Sequence, residues 1–233
     1  MVFRWLLELV FPSWCELCGV RTALYSPLCP DCVRELPQHS LPYCQVCAEK
    51  ESGGLLSGCF NCRESVYHFN YIVAAYTLDE NMRDLVHTFK YSRGVYMGRF
   101  LGSLMRDAFN DPRLAALDLE EWSVCAVPLH KKRESVRYFN QSALLGKALA
   151  QDLKVPYGEY LKRVVNTPHQ ARLNRSEREK NVSKAFTLSK SLLTQKVFLV
   201  DDVFTTGATV NACARVLKQA GAEEVVVITL ARK

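Results

Sequence analysis

Residues 197–209, Val-Phe-Leu-Val-Asp-Asp-Val-Phe-Thr-Thr-Gly-Ala-Thr, decide how the chain folds. Four apolar residues lead into the adjacent carboxylates Asp201 and Asp202. A hydroxyl-rich loop follows, Thr205, Thr206, Gly207, Ala208 and Thr209. Beyond it, Val210, Cys213, Ala214 and Leu217 recur at i, i+3, i+4 and i+7, the pattern of an amphipathic helix, closed by Gly221. A second apolar run, Val225 to Leu230, completes a strand-loop-helix-strand unit. The loop therefore lies at the carboxyl end of a strand and feeds a helix N-terminus. Free N–H groups and the positive end of the helix dipole suit that place to a phosphate. Two carboxylates directly before it can accept hydrogen bonds from a ribose diol. Together they point to a phosphorylated sugar.

This segment resembles the 5-phosphoribosyl 1-diphosphate (PRPP) binding motif of type I phosphoribosyltransferases. The resemblance implies that Asp201 and Asp202 hold the ribose as the catalytic acids. It also implies that the main chain of Thr205, Thr206, Gly207, Ala208 and Thr209 holds the 5-phosphate. Both carboxylates are expected to be ionised at pH 7 unless burial raises them strongly. A buried strand ending in Asp-Asp and an ordinary turn is the plainer alternative. It leaves the charge pair and the Thr-Thr-Gly loop unexplained together.

Upstream, strand-like and helix-like runs alternate. Tyr71–Tyr76 is a predicted strand, Glu80–Phe89 and Met97–Phe109 are predicted helices, Val124–Leu129 a buried strand and Gln141–Leu153 a helix. The fold class is α/β with a mostly parallel sheet, whose ligands bind at the carboxyl ends of strands. The segment HKKRESVR (130–137) follows one such strand as a loop. Lys131, Lys132 and Arg133, with Arg137 further on, are candidates to face the diphosphate, with a magnesium ion bridging its oxygens. Cations there would stabilise the charge that grows on the leaving group. His130 is more readily read as incidental.

The 233 residues, 48% of them hydrophobic, suffice for one medium domain and a small one. No apolar stretch approaches the roughly 20 residues of a membrane helix. The N-terminus has Glu8 inside a short apolar run and no small-residue cleavage site, so Trp5, Leu6, Leu9 and Val10 are expected to form a packing face rather than a signal peptide. A cytoplasmic location is expected. The net charge of +6 is concentrated: residues 131–137 carry four basic and one acidic side chain, and residues 162–180 carry six and two. Two basic segments beside a phosphate loop suit a polyanionic ligand.

Eight of the ten cysteines form four Cys-x-x-Cys pairs within the first 62 residues: Cys15/Cys18, Cys29/Cys32, Cys44/Cys47 and Cys59/Cys62. Two such pairs complete a tetrahedral zinc site with no position left for water, so two structural zinc ions are expected. Two consecutive sites follow, Cys15, Cys18, Cys29 and Cys32 for one and Cys44, Cys47, Cys59 and Cys62 for the other, and the spacing also allows an interleaved arrangement. Disulfides suit a secreted chain, and four tandem redox dithiols would be peculiar. Residues 1–66 carry five basic against seven acidic side chains, which argues against nonspecific phosphate binding by this module. Cys125 and Cys213 lie in apolar patterns and are expected in the core.

The order of the four Cys-x-x-Cys pairs, FKYSRG (89–94), VPLHKKRESVRYFNQ (127–141), HQARLNRSEREKNVSKAF (169–186) and VDDVFTTGAT (200–209) resembles the ComF/GntX family over nearly the whole chain. The resemblance implies a double zinc-ribbon module (1–66) before a type I phosphoribosyltransferase-like domain (67–233). It further implies a mobile basic segment over the sugar diphosphate carrying Arg172, Arg175 and Arg178. Implied too are a role in competence and DNA uptake, contact with single-stranded DNA, and partners such as a ComFA-type helicase and a DprA-type recombination mediator. One residue departs from the family pattern: Tyr138 stands where Arg-Gly-Phe-Asn-Gln has glycine, which bears on the loop's backbone and on the ligand's approach. A nucleobase-salvage transferase and a non-catalytic DNA or protein adaptor are the competing functions. Two zinc ribbons count against the first, and the intact acidic and hydroxyl motif against loss of ligand binding in the second. No segment spells out a base-recognition pattern for an acceptor.

Overall fold

In the computed structural model, residues 12–50, 59–63, 65–91, 94–165 and 184–233 are described. The short strands β1 (Ser13–Trp14) and β2 (Arg21–Thr22) and the helices α1 (Pro30–Arg34) and α2 (Phe60–Arg63) belong to the cysteine-rich front. Then follow β3 (Tyr71–Thr77), α3 (Glu80–Tyr91), α4 (Gly94–Leu104) and α5 (Pro112–Ala115). Next come β4 (Trp122–Ala126), α6 (Lys131–Arg137), α7 (Gln141–Leu153) and β5 (Tyr157–Gly158). The chain ends with β6 (Leu161–Arg163), β7 (Phe186–Leu188), β8 (Lys196–Phe204), α8 (Ala208–Gln219) and β9 (Glu224–Arg232).

Five strands form one parallel sheet in the order β3-β9-β8-β4-β5. Covered on both faces, its central strands carry the near-continuous apolar runs seen in the sequence. Successive residues serve opposite faces. Phe198, Val200, Val226 and Ile228 pack under α3, α4 and α7, with Met82, Phe89, Leu101 and Leu149. Val197, Leu199, Val225 and Val227 pack under α8, with Val210, Cys213 and Leu217. Cys125 and Cys213 are both core residues.

Several boundaries differ from the sequence reading, each for a local reason. β4 ends at Ala126: the Val127 N–H still donates to Val200 O (2.9 Å), the last bond of the ladder with β8, and Pro128 has no N–H to continue it. The expected helix Met97–Phe109 is α4 followed by a tighter 3₁₀ segment, Met105–Asn110. The HKKRESVR segment is a helix, not a loop. His130 caps it, Nδ1 accepting the Lys132 N–H at 3.2 Å, so this histidine has a structural task. The residues 1–11 and the basic segment with Arg172, Arg175 and Arg178 lie outside the described residues.

The front module docks on the free edge of β3. The His39 N–H donates to Ala75 O (3.0 Å) and the Thr77 N–H to Pro37 O (2.7 Å), covering an edge that would otherwise be open to pairing. Cys15, Cys29 and Cys32 join the core on the α3–α4–α7 face, whereas Tyr43 and Ala48 join the core on the α8 face.

Candidate functional site

β8 carries Asp201 and Asp202 near its carboxyl end, with Asp201 in register with Thr229 of β9. The chain leaves the sheet at Phe204, turns through Thr205 and Thr206, and enters α8 from Gly207. Gly207 is the N-cap in a left-handed conformation (φ 78°, ψ −2°) and brings no side-chain acceptor to the helix's first turn. The orphan N–H groups that a Ser or Asp cap would occupy are left for a ligand. Asp201 and residues Val203 to Val210 line a cavity of ≈ 50 Å³ at this point. Glycine is required here for two reasons. Its φ is costly for other residues, and a Cβ would lie 2.5 Å from the Phe204 ring. The crowding comes from the ring beneath the loop.

The acid pair is more enclosed than the end of a strand suggests. Asp202 is buried and forms an ion pair with Lys90 Nζ at 2.8 Å. Asp201 accepts a hydrogen bond from Ser142 Oγ (2.8 Å) and another from the Asp202 N–H (3.0 Å). Burial, and then the negative charge of Asp202, push the Asp201 carboxyl up to about 7, against the opposing pull of the Ser142 hydrogen bond. The expectation that both carboxylates are ionised at pH 7 meets its own exception at Asp201, which burial raises into the neutral range. Arg163, at the end of β6 with its guanidinium 5.3 Å from the Phe186 ring centroid, is held below its ordinary pKa by burial and by Arg133. The charge of Asp201 opposes that shift, so Arg163 lies within electrostatic reach of that acid.

Two motifs interlock beside this pair. In FKYSRG, Lys90 reaches Asp202, and Tyr91 lies under the Arg137 guanidinium, 5.0 Å from ring centroid to carbon. In RYFNQ, Arg137 donates to Gln141 Oε1 (2.7 Å), Asn140 caps α7, and Asn140 Nδ2 donates to Val127 O (3.0 Å) at the end of β4. The Phe139 ring fills the space that a Cβ on Gly94 would need, 1.7 Å away. Tyr138 has φ 68° and ψ −7°, the left-handed conformation a glycine would take. The backbone thus takes a conformation that suits glycine, and the tyrosine side chain is 90% exposed. Lys131 and Lys132 are exposed on the first turn of α6, and Arg133 is partly buried. Sequence reasoning missed Lys90 and Ser142. The FKYSRG match was the available signal for the first.

The cysteines gather as consecutive pairs: Cys15, Cys18, Cys29 and Cys32 in one cluster, Cys44, Cys47, Cys59 and Cys62 in the other, with the sulfurs of each cluster within 4.8 Å of one another. Sγ separations of 3.7 Å (Cys18–Cys29), 3.5 Å (Cys44–Cys62) and 3.4 Å (Cys47–Cys59) are close to the roughly 3.8 Å edge of a tetrahedron with Zn–S bonds of about 2.3 Å. The donor sets fit structural zinc.

A family model for a phosphoribosyl transferase domain matches residues 140–233, and one for a double zinc ribbon domain matches residues 6–66. The chain is similar to Competence protein F of Haemophilus influenzae, 33% identical over 210 residues, covering 88% of this chain and 90% of that one. It is similar to the DNA utilization protein YhgH of Salmonella typhimurium, 30% identical, covering 96% and 99%. Competence protein ComFC of Streptococcus pneumoniae is 26% identical, covering 89% and 88%.

Proposed function

The chain belongs to the ComF/GntX family, and from that membership and the geometry of its phosphate loop we propose that it binds PRPP as a phosphoribosyltransferase-like protein of competence and DNA uptake. One observation carries the reading: a small cavity floored by an uncapped helix N-terminus and lined by Asp201, the first of two adjacent carboxylates. The 5-phosphate takes the N–H groups of Thr205–Thr209. The ribose diol donates to Asp201 and Asp202. Lys131, Lys132, Arg133 and Arg137 serve the diphosphate from helix α6. Hard carboxylate oxygens next to substrate phosphates are the donors magnesium uses, and the ion would neutralise the diphosphate as it leaves. The acid pair supports positive charge at the anomeric carbon as the carbon–oxygen bond lengthens. A carboxyl raised to about 7 is suited to accept or return a proton at neutral pH.

Within the same proposal, each cysteine cluster holds one structural zinc ion, the protein acts in the cytoplasm, and residues 67–233 form the transferase-like domain behind the zinc-ribbon module 1–66. The relatives' names concern competence and DNA use. Single-stranded DNA therefore belongs among the proposed partners, with a ComFA-type helicase and a DprA-type mediator. Charge assigns the DNA contacts to residues 131–137 and 162–180, including Arg172, Arg175 and Arg178, and not to the acidic front module.

The test is calorimetric titration with PRPP, with and without magnesium, of wild type and Thr206→Glu. The variant sets a negative charge in the cavity on a partly exposed loop residue. Binding that is magnesium-dependent and lost in a folded Thr206→Glu supports the reading. Equal binding by both proteins, or none by wild type, refutes it.

A further inference from the structure

Arg232, the penultimate residue, is 4% exposed at the end of β9, and the proposed chemistry does not use it. A guanidinium that deep must be fully partnered. Its Nε donates to the carbonyl of Cys47 at 3.1 Å. One Nη donates to the Glu49 carboxylate and the other to the Lys233 carbonyl. Glu49 also accepts from Asn61 Nδ2 at 2.8 Å. Cys47 closes one Cys-x-x-Cys pair, and Asn61 lies between Cys59 and Cys62 of the other. Arg232 and Glu49 therefore tie both halves of the second cysteine cluster to the sheet.

The remaining face of the guanidinium lies over the Phe204 ring, 5.0 Å from its centroid. Phe204 lines the anion cavity, and its ring is what a Cβ on Gly207 would strike. The Lys233 N–H donates to Phe204 O at 3.1 Å, fixing the same residue from the backbone. A continuous path of hydrogen bonds and packed faces thus runs from Cys47 and Asn61 through Arg232 to the ring under the phosphate loop. The first cluster packs elsewhere, with Cys15, Cys29 and Cys32 in the core on the other face of the sheet.

We propose that Arg232 is a positioning residue that couples the cluster of Cys44, Cys47, Cys59 and Cys62 to the phosphate loop, so that metal loading there and anion binding over Gly207 reinforce each other. The proposal rests on the reading of Thr205–Thr209 as an anion site. It assigns different tasks to two clusters with identical ligands: the first holds the fold, the second also sets the site. Emptying the second cluster frees the Cys47 carbonyl and Glu49, Arg232 loses its seat, and the Phe204 ring no longer holds Gly207 in place.

The experiment is zinc competition against a colorimetric chelator on the full chain, with and without saturating PRPP, in wild type and Arg232→Lys. Linkage makes the effect reciprocal: if zinc raises ligand affinity, the ligand raises zinc affinity by the same factor. PRPP is expected to tighten one of two zinc ions by about tenfold, within the usual range of such couplings. That ion is identified as the second cluster's by its absence in Cys59→Ser. In Arg232→Lys, which keeps the charge but loses the planar face and fork, the effect should fall below about twofold. Unchanged zinc affinity in a protein that binds PRPP overturns the coupling, and tightening that survives in Arg232→Lys overturns the role of Arg232. If wild type binds no PRPP, the site reading fails separately. The coupling is then read from the Gly207 amide resonance, which must move in Arg232→Lys. An unmoved resonance overturns it.

Discussion

Replacing Asp201 by Asn should make the protein more stable at pH 8 and leave it nearly unchanged at pH 3. The ordinary carboxyl value is 3.8, and the folded value is about 7, so the native state holds a proton that the unfolded chain has released across that window. Stability therefore falls as pH rises from about 4 to about 7, by up to about 1.4 kcal/mol per unit. Three units give a ceiling of about 4 kcal/mol. Asp201 is only partly buried as a residue, so solvent relieves some of the penalty, and about 2 kcal/mol is the expected gain at pH 8. Asparagine keeps an oxygen for the Ser142 hydroxyl and the Asp202 N–H but never carries the charge. At pH 3, where folded and unfolded chains both hold the proton, the aspartic acid and the amide are near equals. Urea unfolding of both proteins at the two pH values measures the difference, provided the m-values agree. A gain of the same size at both pH values, or a loss at pH 8, would refute the claim that an ionised Asp201 is the costly state. Weakened PRPP binding in the more stable variant would show that the site holds this charge at the expense of stability.

Removing the Lys90 ammonium by Lys90→Met leaves Asp202 buried without its ion pair and should cost about 3 kcal/mol in urea unfolding at pH 8. No change at pH 8 would mean that the pair contributes nothing. Tyr138→Gly should stabilise the fold by about 1 kcal/mol, since the αL position at the end of α6 no longer carries a Cβ; calorimetric unfolding reads it, and a loss would show that the tyrosine side chain has a contact of value. Zinc analysis of anaerobically purified protein should give two ions per chain, and one after Cys44→Ser with Cys47→Ser; zero in wild type would remove the zinc reading.

Local geometry was legible because it is written in contiguous residues. VFLVDDVFTTGAT makes a strand, a turn and a helix start wherever it stands, and its period and glycine fix where the free N–H groups point. Cys-x-x-Cys spacing likewise sets two thiolates on one knuckle. Segments whose fate hangs on single side-chain contacts were less legible: HKKRESVR looks like a charged loop until His130 turns its imidazole to the Lys132 N–H and makes it a helix. The rest was decided by packing between distant segments. Only the tertiary structure selects consecutive over interleaved cysteine pairs, brings Lys90 and Ser142 to the acid pair, and seats Arg232 between a cysteine knuckle and Phe204. The raised carboxyl of Asp201 has the same origin, because desolvation depends on what covers a group and not on its neighbours in the chain. Periodicity tells which face of an element is buried, and only the assembled sheet tells against what.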